Sequence, residues 1–380
     1  MEPSEFSNLA PGALVRIDGG YAFLPEDLPR RIDIEPAAFM AFDRARGALG
    51  EFVGHARLIP NDFLVTTPLL TIEAVESNRI EGTHTVIADV LRQHAAGPPT
   101  DPQQADRNLE VLLYRDALRL GEVWLSNGGR LNQALIRALH AELLREGRGA
   151  TASRGQYRRV QVAIGGRTPE RARFVPPPYD RVPPLMDDLE RFLTADIDLP
   201  PLMICALAHY QFETIHPFED GNGRIGRLLI PLYLLAAEAI PRPILYLSAY
   251  LEAHSDEYYQ RLKRVSTHGD WTGWVVFFLE AVAAQATSSR DMIVKILGLR
   301  DTYQARVRSE TRSQAALAAI DLVVSQAFVT IPEVQRYANC KYNTAKAAIA
   351  ALEGLGVLRR IPGTRPGTWY SAELLTEVYG

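Results

Sequence analysis

The stretch His216-Pro217-Phe218-Glu219-Asp220-Gly221-Asn222-Gly223-Arg224-Ile225-Gly226-Arg227 joins two apolar helical segments, read as Pro201 to Glu213 and Asn222 to Ala239. A polar, glycine-spaced loop in that position makes an all-helical core with a reactive corner. Gly221 and Gly223 permit a tight turn that gathers backbone N–H groups at a helix start, which attracts an anion. Asp220 offers a hard oxygen of the kind Mg²⁺ takes when it is shared with phosphates. Arg224 and Arg227 stand three apart on one helix face, where planar guanidinium groups grip phosphate oxygens in pairs. His216, with an ordinary pKa of about 6.5, can accept a proton at neutral pH. Each element alone also reads as ordinary structure: a glycine turn, a core histidine, two surface arginines. Together, cradle, carboxylate, clamp and base are the parts of a nucleotide-dependent transfer reaction.

Outward from this loop, apolar periodicity between Pro102 and about Leu299 predicts helix after helix. Besides the two flanking helices these are Gln103 to Ser126, Leu131 to Leu144, Val182 to Leu193, Ser255 to Val265 and Trp271 to Leu297. Pro231 inside the second flanking helix predicts a kink. Residues 158–166 alternate polar and β-branched types before Gly165-Gly166, and Phe174-Val175 resumes the pattern before three prolines, which predicts a small β-hairpin. Upstream, helices are expected over Pro36 to Val53 and Pro68 to Ile80, with Gly82 as the stop and His94 to Asp101 as a linker. Residues 1–35, rich in Pro and Gly, read as an extended strap. The C-terminal part reads as helices Gln314 to Ser325, Thr330 to Ala338 and Asn343 to Leu355, then strand, turn and strand over 356–361, 362–363 and 367–370, the order of a winged helix-turn-helix. The expected fold class is mainly α, divided into 1–100, 101–300 and 305–380.

Bulk properties narrow the function classes. A net charge of -4 gives no global reason to expect nucleic acid or an anionic membrane as partner, so any such contact needs a local patch. Cys205 and Cys340 lie far apart inside apolar helical patterns, which suggests neither a disulfide framework nor a metal motif. The N-terminal Met1-Glu2-Pro3-Ser4-Glu5 lacks signal-peptide order, and the apolar run from Leu228 to Ile240 is too short to span a bilayer, so a cytoplasmic location and no membrane partner are expected.

His216 through Arg227 resembles the Fic family, whose pattern H-x-F-x-[D/E]-G-N-G-R-x-x-R it matches without a departure. The resemblance covers about residues 36 to 290 and extends more loosely to the winged helix. It implies a Fic-type helical core, the hairpin serving as a flap, and a protein adenylyltransferase that moves AMP from ATP to a Tyr, Thr or Ser hydroxyl. His216 is implied as the base, Phe218 as the loop's anchor and Asp220 as the Mg²⁺ ligand. Gly221, Asn222, Gly223 and Gly226 are implied around the nucleotide, with Asn222 and its backbone neighbours on the α-phosphate and Arg224 and Arg227 on the β- and γ-phosphates. The related Doc kinases carry Lys where Gly223 stands, which favours AMP transfer. Arg158, Val162, Ile164, Gly165, Gly166 and Arg167 are implied over the nucleotide and along an extended segment of the target, held by strand addition. Tyr258-Tyr259 resembles the family's pair beside the adenine.

Ser77-Asn78-Arg79-Ile80-Glu81-Gly82 fits the family's inhibitory motif [S/T]-x-x-x-E-[G/N]. Glu81 falls in the last turn of its helix, where the macrodipole disfavours a negative charge by about 0.3–1 kcal/mol, so a cationic partner elsewhere is expected. The resemblance names Arg227 as that partner and Ser77 and Glu81 as the inhibitory residues. Two rival readings remain: AMP removal by the same site, and a winged-helix DNA-binding regulator. For the latter, Lys341, Lys346, Arg359, Arg360 and Arg365 are nearly balanced by Glu333, Glu353, Glu373 and Glu377. Expected partners are ATP, Mg²⁺, a protein substrate, the chain itself as substrate and a second copy in a homodimer, with DNA weakly supported. His55, His84, His94, His140, His209, His254 and His268 lack comparable context and receive no role.

Overall fold

In the computed structural model, which describes residues 1–32, 35–57, 59, 61, 63–147, 152–166, 168–364 and 367–379, helices dominate. The elements in chain order are β1 (Gly12–Ile17), β2 (Gly20–Pro25), α1 (Pro36–Arg57), α2 (Phe63–Ile80), α3 (Ile87–Ala96), α4 (Pro102–Ser126), α5 (Gln133–Leu143), α6 (Val182–Thr194), α7 (Pro201–Ile215) and α8 (Asn222–Ala236). There follow α9 (Ser248–Ala253), α10 (Ser255–His268), α11 (Trp271–Glu310), α12 (Gln314–Gln326), β3 (Phe328–Thr330), α13 (Ile331–Tyr337), α14 (Tyr342–Gly354), β4 (Arg359–Ile361), β5 (Thr368–Tyr370) and α15 (Ala372–Tyr379).

Two compact units form from non-contiguous segments. One comprises residues 1–50, 76–82 and 113–286, the other 51–75, 83–112 and 287–380. This partition differs from the linear one, because 76–82 packs with the segment that contains His216–Arg227 while its neighbours on both sides pack with the C-terminal one.

In the first unit α7 is buried on nearly all sides, as a helix with apolar residues round its whole circumference must be. Pro201 opens it at a position where a missing N–H costs nothing. His216 closes it in the left-handed conformation, φ 50, and Gly221, φ 77, caps the start of α8. Both corners of the loop are therefore set by residues with positive φ, unusual for histidine and easy for glycine. Trp274 of α11 donates from its indole to the Ala206 carbonyl at 2.9 Å and joins His209, Tyr258 and Phe278 in an aromatic cluster behind α7. Pro231 lies inside α8, buried with its neighbours.

Residues 1–35 hold more than a strap. β1 and β2 pair antiparallel, Gly12 with Pro25 through Ile17 with Gly20. The two residues between them are Asp18-Gly19, a strong signal for a two-residue hairpin, and Gly19 has φ 82. Conversely, the hairpin expected over 158–166 and 174–175 is one antiparallel bridge between Ile164 and Phe174. Pro176, Pro177 and Pro178 have no N–H to continue a ladder. The Pro176 carbonyl is met instead by the Gln161 side chain at 2.9 Å.

The second unit contains the C-terminal elements in the expected order plus β3, so the sheet has three strands in the order β3-β5-β4. α2 begins a turn before Pro68, because Leu64 and Val65 are buried and outweigh the proline's cost. α11 runs past Leu297, with Ile293, Ile296, Tyr303 and Val307 fully buried. The expected linker at 94–101 is shorter, since α3 extends to Ala96 and buries Val90 and Leu91.

Candidate active site

The loop is locked from within. Asn222 is buried, accepts from the Phe218 amide at 2.8 Å and donates to the Phe218 carbonyl at 2.9 Å. Its side-chain amide is thus committed to the loop, and what it offers a nucleotide is its backbone. The first-turn backbone amides of α8 gather at the helix start, the geometry that receives an anion.

Arg224 and Arg227 are not surface residues; both are buried. Arg227 donates from Nε to Ser77 Oγ at 2.8 Å, and from Nη2 to the Ser77 carbonyl at 2.9 Å and to Glu81 Oε1 at 2.7 Å. Burial alone would raise the Glu81 pKa, but the Arg227 guanidinium, with Arg224 and His216 beyond it, holds it below its ordinary value. The carboxylate stays charged and one third exposed. A Cβ on Gly223 would collide with Glu81 Oε1 and approach Arg227 Nη1 to 2.9 Å, so glycine is what lets helix start, carboxylate and arginine meet.

His216 is half-buried, and burial pushes its pKa down to about 4, leaving it neutral at pH 7. Its Nδ1 faces the Glu213 carbonyl at 3.3 Å. A carbonyl only accepts, so Nδ1 carries the proton and Nε2 keeps its lone pair. Asp220 is over half exposed; Oδ1 accepts from the Gly221 amide at 2.6 Å and lies 3.6 Å from Arg224 Nη2. Among the described residues no cluster of three or more His, Cys, Asp or Glu side chains stands ready for a metal. One exposed carboxylate beside a phosphate cradle nonetheless suits Mg²⁺, which is often held by one or two carboxylates together with substrate phosphates.

Several residues without an expected role hold this site in place. His140 is buried, receives the Gly155 amide on Nδ1 at 2.8 Å and therefore donates from Nε2 to the Asp220 carbonyl at 3.1 Å. Its ring stacks on Phe218 at 3.8 Å and 5°. Arg158, expected over the nucleotide, is instead buried behind the loop. It donates to the carbonyls of His216 at 2.8 Å, Pro177 at 2.6 Å, Val160 at 3.1 Å and Ile215 at 3.4 Å, and burial lowers its pKa to about 10. Glu213 is half-buried beside Arg227 and Glu81, with Oε1 enclosed and accepting no hydrogen bond among the described residues; desolvation raises its pKa to about 7. Sequence spacing could not reveal these partners, because contacts such as His140 to Gly155 and Asp220, or Arg158 to Pro177 and His216, lie 15 to 80 residues away.

The flap residues Ile164, Gly165 and Gly166 form a tight reversal anchored by the Arg173 amide on the Ile164 carbonyl at 2.9 Å. The Phe23 amide of β2 supports it through the Val175 carbonyl at 3.0 Å. Arg167 lies outside the described residues. Of the tyrosine pair, Tyr258 is buried and bonded to His209 Nε2 at 2.9 Å, whereas Tyr259 is 38% exposed, so of the two Tyr259 has the more open ring.

Two family models match the chain, Fic/DOC family over residues 130–234 and Fic/DOC family N-terminal over 39–122. The chain is 36% identical over 128 residues to the protein adenylyltransferase Fic of Culex quinquefasciatus, covering 33% of this chain and 23% of that protein. Against the protein of the same name from Drosophila grimshawi it is 30% identical over 203 residues, covering 53% and 39%. The chain thus spans well under half the length of these relatives. Its fold is similar to a Fic family protein from Desulfovibrio desulfuricans G20, with TM-score 0.57, 21% identity and coverage of 90% of this chain and 97% of that one. It is also similar to residues 134–508 of Fic-1 from C. elegans, with TM-score 0.55, 20% identity and coverage of 69% and 74%. Residues 39–122 and 130–234 of the chain thus belong to the Fic/DOC family, and the helical fold around them is similar to that of solved Fic proteins.

Proposed function

We propose that this protein transfers AMP from ATP to a side-chain hydroxyl of a protein, and that Glu81 restrains it. The observation that carries the reading is the buried Arg227, whose donors, assigned by the family resemblance to the outer phosphates of ATP, are taken by Ser77 and Glu81. The chemistry follows from the loop. A hydroxyl loses its proton to Nε2 of neutral His216 while its oxygen attacks the α-phosphorus. The bond to the bridging oxygen breaks, and pyrophosphate departs with that electron pair. The backbone amides at the start of α8 face the charge that develops, and such preorganised donors cost no reorganisation as the reaction proceeds. Mg²⁺, when bound with the nucleotide, neutralises phosphate charge, and Asp220 is the residue to hold it. Tyr259 and the reversal at 164–166 frame the adenine and the target, with the segment around Val162 next to them the one to meet an extended peptide.

The division of labour we infer keeps catalysis in the segment that contains 130–234 and assigns the C-terminal winged helix another task. No helix among the described residues is long and apolar enough to cross a membrane, and the two cysteines are free, which agrees with a cytoplasmic setting. The test uses Glu81→Gly with ATP labelled at the α- or at the γ-phosphorus. AMP transfer predicts protein-bound label from the first only. Label from the second would assign phosphate transfer instead.

A further inference from the structure

α13 and α14 are joined by the four residues 338–341, with Asn339 in the left-handed conformation, φ 45. Such a short turn between helices is the build of a helix-turn-helix. α14 buries Ala345, Ala348, Ile349 and Leu352 and turns Tyr342, Asn343, Lys346, Ala347 and Ala350 to solvent. That outward face is narrow at its middle, because Ala347 and Ala350 add no bulk, and polar at its start, where Lys341 and Thr344 are exposed as well. Beside it, β4 exposes Arg359 and Arg360; the Arg360 guanidinium lies 5.6 Å over the Trp369 ring. Trp369 in turn donates to Glu353 Oε2 at 3.1 Å, tying the wing to the end of α14.

Of the nearby acids, Glu377 is exposed, and Glu333 and Glu353 keep their charge while each serves the packing of this unit. Glu333 caps α13 by accepting from the Thr330 amide and hydroxyl at 2.8 and 2.7 Å. Glu353 is held by Trp369, and Glu373 pairs with Arg306 at 3.2 Å. Lys341, Lys346, Arg359 and Arg360, by contrast, have no ion-pair partner among the described residues. The basic side chains stand at the start and middle of α14 and on β4, whereas Glu353 stands at the end of α14 and Glu333 in the first turn of α13. We propose that this helix-turn-helix binds double-stranded DNA, with the first turns of α14 in the major groove and the β4–β5 wing on the backbone. A B-form major groove admits one α-helix, and a face with small residues at its centre and polar or basic residues at its start suits base edges flanked by phosphates.

The experiment measures fluorescence anisotropy of a labelled mixed-sequence DNA duplex of about 30 base pairs with the full chain, across a salt series. Four basic contacts predict sequence-independent affinity of about 10⁻⁶–10⁻⁴ M and a log K against log salt slope of about -3.6. Lys346→Glu/Arg360→Glu should weaken binding more than tenfold and flatten the slope by about 2. Ala347→Trp, which removes no charge and faces away from the core, should weaken binding with the slope unchanged. Lys295→Glu/Arg308→Glu on α11 makes the same charge change elsewhere and should leave affinity within about twofold. Equal losses in that control would overturn the proposal. So would equally tight binding of duplex RNA, whose deep, narrow major groove excludes a helix, or of poly-glutamate, or no binding at all at 50 mM salt.

Discussion

Replacing His140 by alanine tests how the reactive loop is held. The imidazole joins two loops, taking the Gly155 amide at 2.8 Å and giving to the Asp220 carbonyl at 3.1 Å, and it stacks on Phe218. Two neutral hydrogen bonds contribute about 0.5–1.5 kcal/mol each and an aromatic stack about as much, so the substitution removes about 1.5–4.5 kcal/mol of local support. At 1.4 kcal/mol per tenfold, opening of the 153–158 and 216–221 loops becomes about 10- to 10³-fold easier. The readout is amide hydrogen exchange at Gly155, which should speed up by that factor, while amides in the α13–α14 region keep their protection. Loss of AMP transfer should accompany it, with His140→Gln, which keeps a donor and an acceptor, recovering part of both. Unchanged Gly155 exchange in a His140→Ala protein would refute the reasoning.

Three further outcomes follow from the same geometry. Folded His140, His209 and His216 are held neutral by burial, with pKa values of about 4, 3 and 4, so the stability they confer is present above about pH 6.5 and lost as pH falls toward 4. Half-buried Glu213, raised to about 7, acts in the opposite sense as pH rises from 4.5, leaving a net uptake of roughly two protons on unfolding near pH 5; a melting temperature that stays flat from pH 7 to 5 would contradict this. Gly226→Ala places a methyl against Glu213 Oε1 and within 3.2 Å of Phe212, which should destabilise the first unit by about 1–3 kcal/mol, read by denaturant titration of its tryptophans. Arg158→Met should lower the transfer rate far more than nucleotide affinity, because the guanidinium holds the His216 carbonyl from behind; a change confined to nucleotide affinity would place Arg158 in the nucleotide pocket instead.

How much of this was legible in the sequence varies with the range of the interaction. The helices flanking His216–Arg227 and the order of C-terminal elements follow from periodicity and glycine placement, which are local. The hairpin at Gly12–Pro25 was equally legible through Asp18-Gly19, yet the surrounding prolines and glycines read more simply as a strap. The flap erred the other way, since alternation over 158–164 promised a ladder that three consecutive prolines cannot complete. Long-range placement escaped the sequence altogether: Arg158 looks like one of two exposed arginines in Tyr157-Arg158-Arg159, and only the fold buries it behind the loop. His140 and Glu213 are likewise ordinary helix residues until α5 and α7 bring them to the site. Asn222 shows a subtler limit, for its place in the motif is plain but its side-chain bonds to the Phe218 backbone appear only in the fold.

On the function proposed above, the contact between Glu81 and Arg227 silences a competent transfer site. A charge-assisted hydrogen bond contributes about 1.5–3 kcal/mol, which corresponds to roughly a 10–150-fold change in the fraction of productive nucleotide complexes. The decisive measurement is incorporation of label from α-labelled ATP by parent and Glu81→Gly protein, with His216→Ala in the Glu81→Gly background as the blank. The account predicts a 10–150-fold rise for Glu81→Gly, erased by about 10²–10⁴ when the base is removed. A folded Glu81→Gly protein no more active than the parent, or one that has instead lost an AMP-removing activity, would contradict it.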